Sequence, residues 1–309
     1  MTKQSTSNRP GGLMMQRLLW SLCTVCTIVV LCLVVSCEKP LLSVDGSDEE
    51  PDGNLTVSVF QIEKTPFGSV TRAAKPASEA CTRLNYAIYT LDGTRVRQVN
   101  QVSTDANFGT TTFKLEAGEY QVVVVGHSAS GNPDTKDPKK IKFDNADGYT
   151  DTYTYYETIT IGEENVEKPV ALNRITSLCR FVLADETFPA EVKKLQFSYT
   201  GGSGAFDAAT GYGSVKSTQK VTFAVSASQK QFDLYTFPYQ GIESTLHLTV
   251  TALDASDGIY AERTFDVPMQ QNYITWVSGV FFNGSGTSTT TITGVTVNTD
   301  WAGETHITF

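Results

Sequence analysis

Phe113-Lys-Leu-Glu-Ala-Gly118-Glu-Tyr-Gln-Val-Val-Val-Val125 decides the fold class of this chain. A β-prone run, a glycine turn and a second β-prone run follow one another, with no three-to-four-residue helical spacing between them. The same signature recurs in both directions. Upstream, Leu55-Thr-Val-Ser-Val-Phe60 alternates with period two, Leu84–Tyr89 is a second strand, and an Asp92-Gly93 turn leads to the alternating Val96, Gln98 and Asn100. Downstream, Thr152–Ile161 is rich in Tyr and Thr, which favour strands. Turns spaced about 8–12 residues apart predict an all-β sandwich rather than β-α-β units.

A second set of strands is expected from near Asn173: Ser177–Leu183, Leu195–Tyr199, Val221–Val225, Phe232–Phe237, Leu246–Ala252, Tyr260–Val267, Trp276–Phe282 and Ile292–Val297. The only helix-like stretch is Asp185–Lys194, which Pro189 limits to a turn or two. The pattern divides the chain into residues 1–36, a tether at 37–53, a first sandwich at 54–172 and a second at 173–309, with the join at Pro169–Asn173.

The 309 residues carry 24 Lys+Arg against 33 Asp+Glu, a net charge of −9. Residues 1–36 hold three basic residues (Lys3, Arg9, Arg17) and no acidic one, so the remainder stands at −12. That balance argues against binding a phosphate backbone, and no nucleic-acid partner is expected. With three histidines (His127, His247, His306), little room is left for a His-based metal or catalytic site.

Arg17 precedes the uncharged run Leu18–Val35, which ends at Ser36-Cys37. A basic start, an apolar stretch and a small residue before the cut describe a secretory signal. The cysteine directly after Ser36 makes it a lipoprotein signal, cleaved between Ser36 and Cys37, with the Cys37 thiol converted to a thioether of diacylglycerol; the alternative is a plain transmembrane helix. Cys23 and Cys26 fall inside the apolar stretch, so their spacing is no redox motif, and Met14 or Met15 is an alternative start. Beyond Cys37 the chain is polar, acidic and broken by Pro and Gly, as a flexible tether is. Its cluster Asp48-Glu49-Glu50 reads equally as a solvated linker or as an acidic export signal of the kind on Bacteroidetes surface lipoproteins.

Five further motifs stand in a fixed order: Cys81-Thr-Arg-Leu-Asn-Tyr-Ala-Ile-Tyr; Phe113-x-Leu-x-x-Gly118-x-Tyr120-x-Val-Val; Val170-Ala-Leu-Asn-Arg174 leading into a new β run; Tyr199-Thr-Gly-Gly-Ser-Gly-Ala-Phe-Asp207; and Gln271-Asn-Tyr-Ile-Thr-Trp-Val-Ser-Gly279. Together with the lipoprotein signal, this order resembles the FimB-type fimbrial anchor family, the fimbrillin-associated anchor lipoproteins of Bacteroidetes, over Cys37 to Phe309. The resemblance implies two tandem transthyretin-like β-sandwich domains and a lipid-held place in the outer membrane, exposed at the surface within fimbriae. It implies a role at the base of a pilus for cell adhesion, with pilin-like subunits as partners, joined by strand exchange. It implies no catalysis and no cofactor. The Phe113–Val125 stretch is expected as a hairpin, Arg72 as an uncut site for an Arg-specific protease, and Glu304–Phe309 as a β-prone end suited to strand pairing.

Candidate chemistry is sparse. Cys81 and Cys179 are the cysteines left besides Cys37, and they form either a disulfide closing a loop of about 98 residues or two buried thiols. Gly201-Gly-Ser-Gly204 lacks the Lys-Ser/Thr and helix of a phosphate cradle and reads as a hairpin loop. Asp144, Asp147 and Asp151 approach the density of a calcium loop without its alternating order, so a turn is expected and no metal. Tyr153, Tyr155, Tyr156 and Trp301 suit either a glycan platform or cross-strand packing. Two function classes result: a lipid-anchored pilus subunit, favoured by an open sheet edge, and a surface carbohydrate-binding lipoprotein, favoured by an exposed aromatic row.

Overall fold

The alternating runs become strands in a computed structural model, which describes residues 53–64, 73–144, 146–226, 229–240, 244–282 and 301–309. Ser36, Cys37, the Asp48–Glu50 cluster, Arg72 and the Ile292–Val297 run lie outside these residues. The first nine strands are β1 (Leu55–Lys64), β2 (Ala73–Lys75), β3 (Arg83–Thr90), β4 (Arg95–Val102), β5 (Thr110–Phe113), β6 (Gly118–His127), β7 (Ile141–Lys142), β8 (Thr152–Ile161) and β9 (Val166–Arg174). The helical turn α1 (Ala77–Ala80) precedes β3.

Their sheet runs β2-β1-β9-β8-β6-β3-β4, with β5 also on β1. β8 and β9 meet only at Tyr153–Arg174 and Thr154–Asn173, and there the sheet turns into two layers. Leu55, Val57, Val170 and Leu172 from one layer pack against Leu84, Tyr86, Val122 and Val124 from the other. The expected Phe113–Val125 hairpin is not formed. β5 pairs with β1, and β6 lies between β3 and β8. Phe113 and Leu115 are both buried, so the segment before Gly118 crosses from one layer to the other instead of turning back beside itself. Pro169 sits within β9, which pairs with β1 and is unpaired on its other side until Asn173; an edge tolerates the missing N–H.

The second nine are β10 (Ser177–Leu183), β11 (Lys194–Thr200), β12 (Ala205–Phe206), β13 (Gln219–Ala224), β14 (Gln231–Thr236), β15 (Ser244–Leu253), β16 (Ile259–Met269), β17 (Tyr273–Gly279) and β18 (Gly303–Thr308). They form two four-stranded sheets, β14-β10-β17-β18 and β13-β11-β15-β16. Period-two alternation buries Leu195, Phe197 and Tyr199 of β11 and Cys179, Phe181 and Leu183 of β10 in one shared core. Rings of Phe197, Phe265 and Phe281 meet Phe181 edge-on at 5.4–6.3 Å between centroids, a favoured geometry for aromatic pairs.

The chain is thus all-β with sandwich-like layers, as the alternation predicts. Asp185–Lys194 is not helical: Pro189 interrupts it, and the Asp185 carboxylate instead accepts the N–H groups of Phe281 and Phe282 at 2.6 and 2.9 Å. Pro169–Asn173, the expected join, runs as continuous strand, and the chain passes from one sheet to the next across Ile175–Thr176. A third apolar cluster joins the two halves. Tyr89, Val123 and Val125 from the outer side of β3 and β6 pack with Ile141 and Phe143, and with Phe206 and Phe237 of the second half. Over it, β7 pairs antiparallel with β12.

Candidate functional site

The C-terminal strand is one of the two open edges of its sheet, β14 being the other. β18 lies parallel to β17, from Tyr273–Gly303 to Ser278–Thr308, and no described strand pairs with its other side. Phe309 N–H donates to the Ser278 carbonyl at 3.0 Å. Because bonding alternates along a strand, the main-chain groups of Glu304, His306 and Thr308 point away from β17, toward the open side.

On the core side, Ile307 is buried and Phe309 stacks on Phe181 at 5.2 Å and lies 4.7 Å from the Phe265 ring. Gly279 makes room for it, since a Cβ there would stand 1.9 Å from the Phe309 carbonyl oxygen. On the outer face, Trp276 Nε1 donates to Glu304 Oε2 at 2.6 Å. Its ring lies between the His306 ring, nearly parallel at 5.6 Å, and the Arg180 guanidinium at 5.0 Å. Arg180 in turn makes a bidentate pair with Asp233 at 2.8 and 2.7 Å. Both faces of Trp276 are therefore taken.

Just before β18, Trp301 covers Arg174, with the guanidinium carbon 3.9 Å from the ring centre. Arg174 is 5% exposed and ends β9. Its Nε and Nη2 donate to Asp151 Oδ1 and Oδ2, both at 2.8 Å, its Nη2 also to the Tyr153 hydroxyl at 2.9 Å, and its Nη1 to Asn272 Oδ1 at 3.2 Å. The Tyr153 hydroxyl and Thr176 Oγ1 donate to Asp151 at 2.6 and 3.0 Å. Burial works against the Arg174 charge, but the Asp151 carboxylate outweighs it and holds the guanidinium above its ordinary pKa. Burial, and then the charge of Asp151, raise the Tyr153 phenol. One side chain thereby touches β8, the turn before β17 and the residue leading into β18.

The other expected residues fall as follows. Cys81 and Cys179 are free thiols, Cys81 in the first core and Cys179 in the second. No disulfide joins them, because each packs as a small hydrophobe inside a different sandwich. Burial pushes both thiols up to about 12. Gly201 has φ +88° and opens the long β11–β13 connection, where a Cβ would stand 1.9 Å from the Thr245 carbonyl; the loop is structural. Asp151 belongs to the Arg174 cluster, and no group of three metal-ligating side chains occurs among the described residues.

His127 is buried between Asn85, whose Oδ1 lies 2.7 Å from Nε2, and the Ala129 N–H, which donates to Nδ1 at 3.1 Å. Burial, with the nearby Arg83 charge, lowers it to about 3, so it is a neutral structural residue. His247 pairs with Asp266 at 2.6 Å on the surface. Tyr153 and Trp301 are buried, Tyr156 packs against the cluster between the halves, and the Tyr155 hydroxyl bonds Glu157. These four form no exposed aromatic row.

A polar groove of about 990 Å³ opens on the outer side of the β13-β11-β15-β16 sheet, lined by Thr200, Lys216, Thr218, Tyr239, His247 and Asp266 among others. The Arg174 cluster was missed from sequence. Its one signal was an arginine at the opening of a new β run, and its partners lie 21 to 127 positions away in the chain. No helix among the described residues is long and apolar enough to cross a membrane.

A family model described as a family of unknown function, DUF6562, matches residues 48–308. No curated protein matches the chain. Among solved structures, a candidate adhesin from Bacteroides ovatus is 15% identical over 72% of this chain and 87% of its own, with a TM-score of 0.47. A fimbrial assembly protein from Parabacteroides distasonis is 13% identical over 73% and 89%, with a TM-score of 0.37. The fimbrial anchor protein Mfa2 from Porphyromonas gingivalis is 12% identical over 68% and 80%, with a TM-score of 0.39.

Proposed function

The chain belongs to DUF6562, a family of unknown function, and we propose that it is a lipid-anchored, non-catalytic pilus subunit that holds pilin-like partners at the outer membrane by pairing strands with them. The observation that carries this reading is the open side of β18, the outermost strand of its sheet. Such an edge offers a row of N–H and C=O groups that a partner strand can satisfy, while alternate side chains provide selectivity.

The Ser36-Cys37 signal supplies the other half of the device. Acyl chains on Cys37 fix the N-terminus in the membrane, and the acidic stretch to residue 53 gives reach. Between lipid and edge stand two sandwich domains, 54–172 and 173–309, acting as a rigid spacer at the base of the pilus. The resemblance of the motif order to that of FimB-type anchors favours the basal position. A second reading, surface carbohydrate binding, is favoured by the polar groove beside Tyr239 and His247.

Recovering the protein from detergent-solubilised membranes and identifying what is bound tests the proposal. Pilin-like subunits should accompany it, and cells lacking the gene should release pili into the medium. Normal pilus length and attachment in those cells would overturn the anchor reading.

A further inference from the structure

Arg174 is a single charged group that touches the first half, the turn before β17 and the approach to the C-terminal strand. Tyr153 grips it from β8 and Asp151 from just ahead of that strand, Asn272 from the turn leading into β17, and Trp301 closes over it. Trp301 is itself buried, with Leu178 and Ile274, against the outer face of the β14-β10-β17-β18 sheet.

We propose that Arg174 and Trp301 form a coupling latch, so that the seating of β18 and the setting of the joint between the two halves are one cooperative event. The physical reason is local dielectric. The Asp151–Arg174 attraction is strong only while little water reaches it, and the ring of Trp301 covers the guanidinium on the side facing β18. When β18 is lifted from β17, Trp301 must follow within two residues. Water then reaches Arg174, and its bonds to Asp151, Tyr153 and Asn272 are traded for bonds to water. The converse holds with the same factor: a joint held in place favours Trp301 on Arg174, and with it a docked β18.

Where the open side of β18 receives a partner, which rests on the function proposed above, the latch stiffens the path from the tether to the partner. Occupancy of the edge would then be felt at Asp151 and Thr176.

Hydrogen exchange on the full chain, purified in detergent, tests the coupling without any partner. Trp301→Leu keeps an apolar side chain but removes the π face. It should speed exchange about tenfold in residues 149–153 and 174–177, which it does not adjoin in sequence. Arg174→Lys should speed exchange in residues 303–308 by a similar factor and leave β13, in the other sheet, unchanged. Trp301→Phe, which keeps a ring and the fold, should give a smaller change of the same sign. Changes confined to residues 301–309 for Trp301→Leu, or to 149–177 for Arg174→Lys, would overturn the latch. Loss of the partner reading shows separately, as absence of pilins in the pull-down with the exchange coupling intact.

Discussion

His127 and the two core cysteines set the behaviour of the molecule at the scale of single residues. His127 is neutral in the fold because burial lowers it to about 3, whereas the unfolded chain titrates it near 6.5. Below about pH 6.5 the unfolded state therefore binds the extra proton, and stability is lost as the pH falls toward 3, at up to about 1.4 kcal/mol per pH unit. Urea titrations at pH 7 and pH 4.5 should show the native chain losing about 2–3 kcal/mol more than His127→Gln, which keeps a donor to Asn85 but does not titrate; equal losses would show that another group governs the acid limb. Cys81 and Cys179 give a sharper outcome. With both thiols buried and raised to about 12, a thiol reagent at pH 8 should find neither in the folded, lipid-processed chain and should find both in denaturant without reductant. A disulfide would leave none to find. Spacing left bonded and free cysteines equally open, because distance in sequence does not fix Cα separation.

Elements were legible where one face of a strand is buried and the other is wet. Thr152–Ile161, read from its Tyr and Thr content, and Ser177–Leu183 are strands with the expected bounds; the alternating Leu195–Tyr199 run buries every second side chain, as a half-buried sheet requires. Pairing was less legible. Phe113–Val125 reads as a hairpin because a glycine separates two strands, but partners are chosen by buried surface far away in sequence, and β5 is drawn to β1. The two-residue strands β7 and β12 carry no periodic signal at all. The open edge was half visible, as a β-prone end. What the sequence could not show is that this end lies in its own sheet, through Ile307 and Phe309 in the core. Gly279 tests how closely it fits. Gly279→Ala places a methyl group against the Phe309 carbonyl and should destabilise the protein by about 1–3 kcal/mol. The Phe309 N–H, bonded to Ser278, should exchange faster in this variant than in the native chain; equal protection would mean that β18 adjusts without leaving β17.

On the scale of the whole molecule, the proposed function is a matter of load: lipid at Cys37, two sandwiches joined by a buried apolar layer, and an open edge on the second. Removing Gly303–Phe309 would not isolate the edge, because the same segment fills the core with Ile307 and Phe309. A cleaner perturbation follows from the direction of the main-chain groups. Phe309 N–H bonds to Ser278, so the N–H of Thr308 points outward, and Thr308 is itself exposed. Thr308→Pro removes that outward donor, takes no hydrogen bond from β17, and suits an edge strand. Stability should stay within about 0.5 kcal/mol of the native chain, as for most surface changes. An incoming strand, however, meets a missing donor and a pyrrolidine ring where it should pair. Cells carrying Thr308→Pro should shed pili into the medium while the lipoprotein stays in the membrane fraction, whereas Thr308→Val, which keeps the N–H, should retain them. If Thr308→Pro cells hold their pili as firmly as Thr308→Val cells, partners dock elsewhere, and the unpaired side of β18 is only a solvated edge.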